Sequence, residues 1–200
     1  MSDHLLLERL FARLPNQPVF RNGWRTDLTY FFVSSVLVQR IHRLFHTVPF
    51  LWRFHAVHHS ADHMDWLAGS RLHLVDVAVT RGMTYIPIYI MGFNQSPLFA
   101  YVAFVSVQAT FIHANVRFTF GPLRWLLATP QFHHWHHGAE AEAVDKNFAV
   151  HLPVLDWLFG TFHLPGGRWP AAYGLNDGPK VPNGYLRQFW YPFRRRRIIP

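Results

Sequence analysis

Eight histidines in three short stretches constrain this chain more than any other feature. His42-Arg-Leu-Phe-His46 sets two imidazoles at i and i+4. His55-Ala-Val-His58-His59 sets three at i, i+3 and i+4. His133-His-Trp-His136-His137 repeats that spacing, with His134 as an extra. Positions three and four apart share a helix face, so the spacing predicts helices whose imidazoles converge on a metal. Neutral imidazole is a good ligand for iron and zinc. One zinc takes three or four protein ligands. Eight histidines on at least two helices exceed that number and point to two metals sharing a site. A lone HxxH is more often an ordinary pair of surface or core histidines, whereas two HxxHH motifs and an HxxxH in one chain are not. His134 falls on another helical face from His133 and His137, so it reads as a neighbour of the ligands or a substrate-facing residue.

Other metal chemistries are excluded by composition. The chain has no cysteine, which removes thiolate ligands, disulfides and a cysteine nucleophile. Its only glutamates are Glu8, Glu140 and Glu142, so the Glu-x-x-His pattern of soluble di-iron bundles is missing. No HExxH zinc-protease motif occurs.

Charged residues make up 15% of the 200 residues, against roughly 25% in soluble domains. From Gly82 to Val116 there is no Asp, Glu, Lys or Arg. One membrane span takes roughly 20 residues, and Gly92-Phe-Asn-Gln-Ser-Pro97 reads as a turn. The stretch therefore predicts a membrane hairpin over about 77–116, with Val77–Met91 rising and Pro97–Val116 returning. Arg81 and Arg117 flank it on one side, which the positive-inside rule places in the cytoplasm. Asp76, Arg81 and Pro87 interrupt the first arm. A buried helical pair in a soluble protein is the competing reading. Leu28–Gln39 is apolar but too short to span alone. The first 27 residues carry no secretory signal pattern. The net charge of +8 comes without any nucleic-acid-binding motif, so it suits an anionic membrane surface or an acidic carrier protein.

The expected fold is all-α: an integral membrane helical hairpin with a cytoplasmic histidine-rich helical domain. Residues 1–27 form a leading segment and residues 28–200 the main domain. Residues 28–73 are expected to be helical, with Pro49 near a helix start or bend. Gly121-Pro122 marks a turn, Pro130 opens a helix, and a short helix covers about Tyr185–Trp190.

The boxes resemble the membrane fatty acid hydroxylase superfamily, also called the sterol desaturase family. The resemblance covers roughly residues 40–195. It rests on Leu51-Trp-Arg-Phe-His55-Ala-Val-His58-His59-Ser60, then Thr129-Pro-Gln-Phe-His133-His-Trp-His136-His137-Gly138, then Asp145-Lys-Asn147-Phe148 and Asp156-Trp-Leu-Phe-Gly160-Thr-Phe162. It implies O2-dependent hydroxylation or desaturation of a lipid at a centre of two histidine-bound iron ions. An external protein would supply electrons, since no haem-attachment or dinucleotide fingerprint is present. Carried over by position, the ligands are His42, His46, His55, His58, His59, His133, His136 and His137, with His113 in His113-Ala-Asn-Val as a ninth. His63 and His73 are either near the same interface or incidental. His134 and His151 are supporting or structural. Asp145 or Asn147 either orients a ligating imidazole or holds the surface. Trp135 and Trp157 either line a substrate path or pack. Ile112-His113-Ala-Asn-Val, Gly121-Pro122-Leu123 and Thr129-Pro130 lean toward monooxygenases, including those acting on alkylglycerol ethers. The resemblance also implies some tens of residues between Phe32 and Arg40 that this chain does not have.

Overall fold

The computed structural model describes residues 20, 22–90, 95–118, 120–175 and 180–194. Among these the chain is helical, and its only bridge pair outside helices is Gly138 with Tyr173. The chain divides into two units, 1–34 and 35–200. In the first, the described residues open helix α1 (Trp24–Thr47), which continues into the second. The helix runs unbroken across 32–40, where the resemblance calls for additional residues. Phe20, Leu28, Phe32 and Val33 are exposed.

The second unit is built around the histidines. Pro49 ends α1 and starts α2 (Pro49–His59). A proline disfavours helical backbone at the residue before it, and Val48 is extended, at φ −96° and ψ 112°. Proline itself is favoured at the first helical position. Residues 60–73, expected to be helical, instead form an irregular link with one 3-10 turn, Ala68–Ser70. Gly69 of that turn is required by close approach. A Cβ there would lie 3.0 Å from His113 Nδ1 and 3.1 Å from the Ala109 carbonyl.

Helices α3 (Leu74–Ile90) and α4 (Gln95–His113) occupy the expected hairpin. Three details differ from expectation. Helix α3 starts at Leu74, before the expected Val77, and Arg81 lies inside it rather than at the flank of a span. Pro87 does not end it. Helix α4 starts at Gln95, so the turn does not extend to Pro97; residues 91–94 of the expected turn lie outside the described set. No described helix is long and apolar enough to cross a membrane. The two helices face each other across a cavity of ≈ 150 Å³.

The remaining elements are short. A 3-10 turn spans Gly121–Trp125, after Phe120 at φ 51°. Helix α5 (Pro130–His136) opens on Pro130, and the Thr129 hydroxyl accepts from Phe132 N at 3.2 Å, a standard N-terminal cap. Helices α6 (Val154–Leu158) and α7 (Tyr185–Trp190) follow. Phe45, Ile112, Phe132, Trp135 and Phe148 are almost completely buried. They form the apolar walls that hold the histidine-bearing helices together.

Candidate metal centre

Nine histidines meet in two groups. His42, His46, His55, His59 and His136 form the first; His58, His113, His133 and His137 form the second. Within each group, one ring nitrogen per residue lies within 4.8 Å of all the others. These nine are the histidines that the resemblance assigned as ligands.

Each HxxHH helix divides its histidines between the groups. Helix α2 gives His55 and His59 to the first and His58 to the second. Helix α5 gives His136 to the first and His133 and His137 to the second. At 3.6 residues per turn, position i+4 sits about 40° to one side of i and i+3 about 60° to the other. The i and i+4 rings therefore stay together while the i+3 ring diverges. The shared face read from the spacing is really two adjacent faces.

The rings are held from behind. His42 Nδ1 donates to the Phe148 carbonyl at 2.7 Å and His136 Nδ1 to the Lys146 carbonyl at 2.7 Å. His58 Nδ1 donates to the Arg71 carbonyl at 3.2 Å and His113 Nδ1 to the Ala109 carbonyl at 2.6 Å. His55 Nδ1 donates to Asp76 Oδ2 at 2.6 Å. Each of these bonds fixes a proton on Nδ1 and leaves Nε2 with a bare lone pair.

Those bare nitrogens then face one another or the Nε2 of His133 or His59. His58 Nε2 lies 3.2 Å from His113 Nε2, and His113 Nε2 lies 3.1 Å from His133 Nε2. His42 Nε2 and His55 Nε2 are 3.2 Å apart, and His59 Nε2 and His136 Nε2 are 3.1 Å apart. Between His58 and His113 neither ring has a proton left to donate. Protonating such rings is opposed by burial. It holds His46, His58, His59, His133, His136 and His137 well below the usual histidine range, and neighbouring imidazoles add to the effect. His46 Nε2 is buried without any hydrogen-bond partner. Lone pairs packed this way need an electrophile between them. Two nitrogens about 2.0–2.1 Å from one metal, at right to tetrahedral angles, are about 2.8–3.4 Å apart. The observed spacings fall in that range, so the donor set fits a metal ion in each group.

Asp76 is the supporting residue that the sequence reading missed. It is 3% exposed, and Thr80 Oγ1 donates to its other oxygen at 3.1 Å. A carboxylate behind a ligating imidazole orients the ring and raises its basicity. The available signal was a lone acid in an apolar stretch, which needs a partner. Asp76→Asn is expected to weaken metal binding in the first group by about 10- to 100-fold and to leave the second unchanged. Chelator competition on the purified protein measures both.

The other candidates fall outside the two groups. Asp145 is exposed, 3.8 Å from His46 Nδ1. Asn147 is fully buried but ties backbone. Its Nδ2 donates to the Phe132 and His163 carbonyls at 2.9 and 2.7 Å, and its Oδ1 accepts from His163 N at 2.7 Å. His63 is exposed beside Asp62. His73 is buried, donates to the Phe189 carbonyl at 3.0 Å and accepts from Val75 N at 3.1 Å, closing the start of α3. His134 points away from both groups, bonded to Tyr173 at 2.9 Å and to the His113 carbonyl at 3.3 Å. His151 bonds Gln108 at 2.7 Å and lines the cavity. Trp135 packs in the core with its indole N–H on the Arg168 carbonyl, and Trp157 is exposed, so neither lines the cavity.

That cavity ends at the metal centre. His42, His55, His58, His113 and His133 form part of its wall. Phe45, Val77, Val105 and Ile112 supply apolar wall between α3 and α4. The arrangement can bring an apolar chain to a pair of metal ions while excluding water.

Comparison with known proteins gives a consistent picture. The family model described as fatty acid hydroxylase matches residues 28–161, which contain all nine histidines. Ornithine lipid hydroxylase OlsE of Rhizobium tropici is 34% identical over 156 residues, covering 78% of this chain and 46% of that protein. Alkylglycerol monooxygenase of Homo sapiens is 31% identical over 158 residues, covering 76% of this chain and 35% of that protein. The Danio rerio alkylglycerol monooxygenase is 31% identical over 158 residues, covering 78% and 34%. The matched region is less than half the length of each of these relatives. No solved structure matches the chain.

Proposed function

The chain belongs to the fatty acid hydroxylase family, and from that premise we propose that it is an O2-dependent lipid hydroxylase with two iron ions held by the nine histidines. The observation that carries this reading is the pair of converging clusters in which five rings, His42, His55, His58, His113 and His136, have their Nδ1 protons committed elsewhere and turn a bare Nε2 inward. The names of the relatives, a lipid hydroxylase and a monooxygenase, favour hydroxylation over desaturation. Iron bound in these groups would activate O2, the oxidant, so that with two electrons from a donor and two protons one oxygen atom enters a C–H bond and the other leaves as water.

The protein's own residues supply the rest. Burial keeps the imidazoles neutral and able to ligate. Asp76 and the carbonyls of Arg71, Ala109, Lys146 and Phe148 aim them. Phe45 and Ile112 keep the reacting end of the cavity dry, which strengthens electrostatic interactions there. Electrons come from a separate donor protein, whose docking the net positive charge assists.

The lipid reaches the cavity from a membrane in which α3 and α4 are embedded, with the histidines on the cytoplasmic side. Ile86, Ile90, Phe99 and Val107 support this part of the reading. They are exposed on these two helices where a water-soluble pair would carry polar groups.

Protein purified in detergent is expected to hold about two irons per chain. Lipid extracts of cells making it are expected to contain a species one oxygen atom heavier, labelled by ¹⁸O2. Helical protein that holds no iron, or an unlabelled product, would overturn the proposal.

A further inference from the structure

The cavity has a second, polar end. Arg81, Tyr85, Tyr101 and His151 all line it. The Arg81 guanidinium donates to the Tyr85 hydroxyl. The Tyr85 and Tyr101 rings lie 6.5 Å apart, and the Tyr101 and His151 rings 6.4 Å apart. These contacts link Arg81 to His151 around one part of the wall. Arg81 follows Asp76 by five residues and Tyr85 by nine, or about 7.5 and 13.5 Å along the helix axis. Tyr101 precedes His113 by twelve residues, about 18 Å. Arg81, Tyr85 and Tyr101 are thus set back along their helices from the histidine end, with Val77 and Val105 on the wall between.

Two features of this set are unused by the metal centre. His151 is 4% exposed and its Nδ1 donates to Gln108 Oε1 at 2.7 Å. That bond leaves Nε2 as a bare acceptor, and it has no hydrogen-bond partner. Burial pushes the imidazole down to about 4, so Nε2 stays unprotonated at neutral pH. Arg81 is half-buried and, among the described residues, forms no ion pair with a carboxylate. Asp76, the acid in the same cavity, is taken up by His55 and Thr80. A buried acceptor without a donor is costly, and Arg81 has the neutral Tyr85 hydroxyl as a partner but, among the described residues, no anionic oxygen to balance its charge.

We infer that this polar end is a subsite for the linkage region of an amphiphilic lipid that offers both an oxygen acceptor and an O–H or N–H donor. The oxygen, anionic or carbonyl, sits on the Arg81 guanidinium. The donor bonds His151 Nε2. The apolar chain then lies along Val77, Val105 and Ile112 toward the histidines. The carbon presented there lies on the order of 10 Å from the anchored linkage. A plain hydrocarbon or a fully esterified lipid without a donor leaves His151 unpaired and binds less well. This inference rests on the lipid-oxidation reading but is tested by binding alone.

The test uses the full chain in non-ionic detergent with two probes that differ by one hydrogen-bond donor. N-dodecanoylglycine carries an amide N–H and a carboxylate; N-dodecanoylsarcosine has the same carboxylate and a methylated nitrogen. Equilibrium dialysis with labelled probe is expected to show at least tenfold tighter binding of the glycine conjugate. His151→Phe is expected to erase that difference, and His151→Gln, which restores an acceptor, to recover part of it. Arg81→Gln is expected to weaken both probes about tenfold. Iron content is read in the same samples and is expected to be unchanged, since neither residue contacts the two histidine groups. Equal binding of the two probes by the unaltered protein overturns the subsite. So does discrimination that survives in His151→Phe with iron retained. If His151→Phe loses its fold, full discrimination with unweakened binding in Arg81→Gln overturns it instead. Iron missing from every sample, with discrimination intact, overturns the oxidation reading and not the subsite.

Discussion

The double variant His58→Ala/His133→Ala is expected to hold one metal ion per chain instead of two and to lose at least about a thousandfold of its hydroxylation rate. Both residues belong to the second histidine group, and their removal leaves it only His113 and His137. The first group keeps all five of its rings. The complementary triple variant His42→Ala/His55→Ala/His59→Ala leaves the first group only His46 and His136 and is expected to empty it while sparing the second. Paired variants of this kind test the division of each box between two ions, because a single shared site would lose all of its metal in both. Metal analysis and turnover on the same preparations give the answer, with circular dichroism showing that the helices persist. Retention of two ions in either variant would rule out the assignment.

Asp156→Ala is expected to destabilise the protein by at least about 4 kcal/mol and to abolish metal binding in the first group. Asp156 is fully buried yet, among the described residues, carries no cationic partner. Burial pushes its carboxyl up, and four hydrogen bonds work against that. They come from Phe148 N at 3.1 Å, Ala149 N at 2.6 Å, Thr161 Oγ1 at 2.5 Å and Gln39 Nε2 at 3.2 Å. Removing the carboxylate leaves these donors unpaired in the interior, and hydrogen bonds to a charged group are each worth roughly 1.5–3 kcal/mol. The loss spreads to the metal centre through the backbone. Asp156 fixes the segment whose Phe148 and Lys146 carbonyls hold His42 and His136. Asp156→Asn is expected to be nearly as damaging, since its amide nitrogen would face donors. Thermal denaturation with metal analysis checks both variants. An Asp156→Ala protein that melts normally with two ions bound would overturn the argument.

The gathering of the eight box histidines was legible because a 3.6-residue period is written directly in their spacing, whereas His113 came only from the resemblance. The all-helical class, the helix start at Pro49 and at Pro130, and the helix Tyr185–Trp190 were legible for the same local reasons of period and proline chemistry. What the spacing could not show was the splitting of each box. That depends on the difference between about 40° and 60° of rotation and on which neighbour each ring meets. Asp76 was misread as an interruption because its partner, His55, lies 21 residues away. Asp145, close in sequence to His137, drew attention to a carboxylate 3.8 Å from His46 Nδ1 and away from the closer one on His55. His73 and His151 have the composition of ligands but meet the Phe189 carbonyl and Gln108. No local pattern marks either contact.

Four of the nine rings are aimed by main-chain carbonyls, those of Arg71, Ala109, Lys146 and Phe148. A carbonyl is the same in every residue, so these contacts are insulated from amino-acid replacement at the positions that make them. The side chains at 71, 109 and 146 can drift in related chains while the imidazoles behind the metals stay in place. His55 alone among these five depends on a particular neighbouring side chain. The family's histidines can therefore stay fixed while their supporting positions vary, and a comparison of sequences will find Asp76 where it will miss the rest.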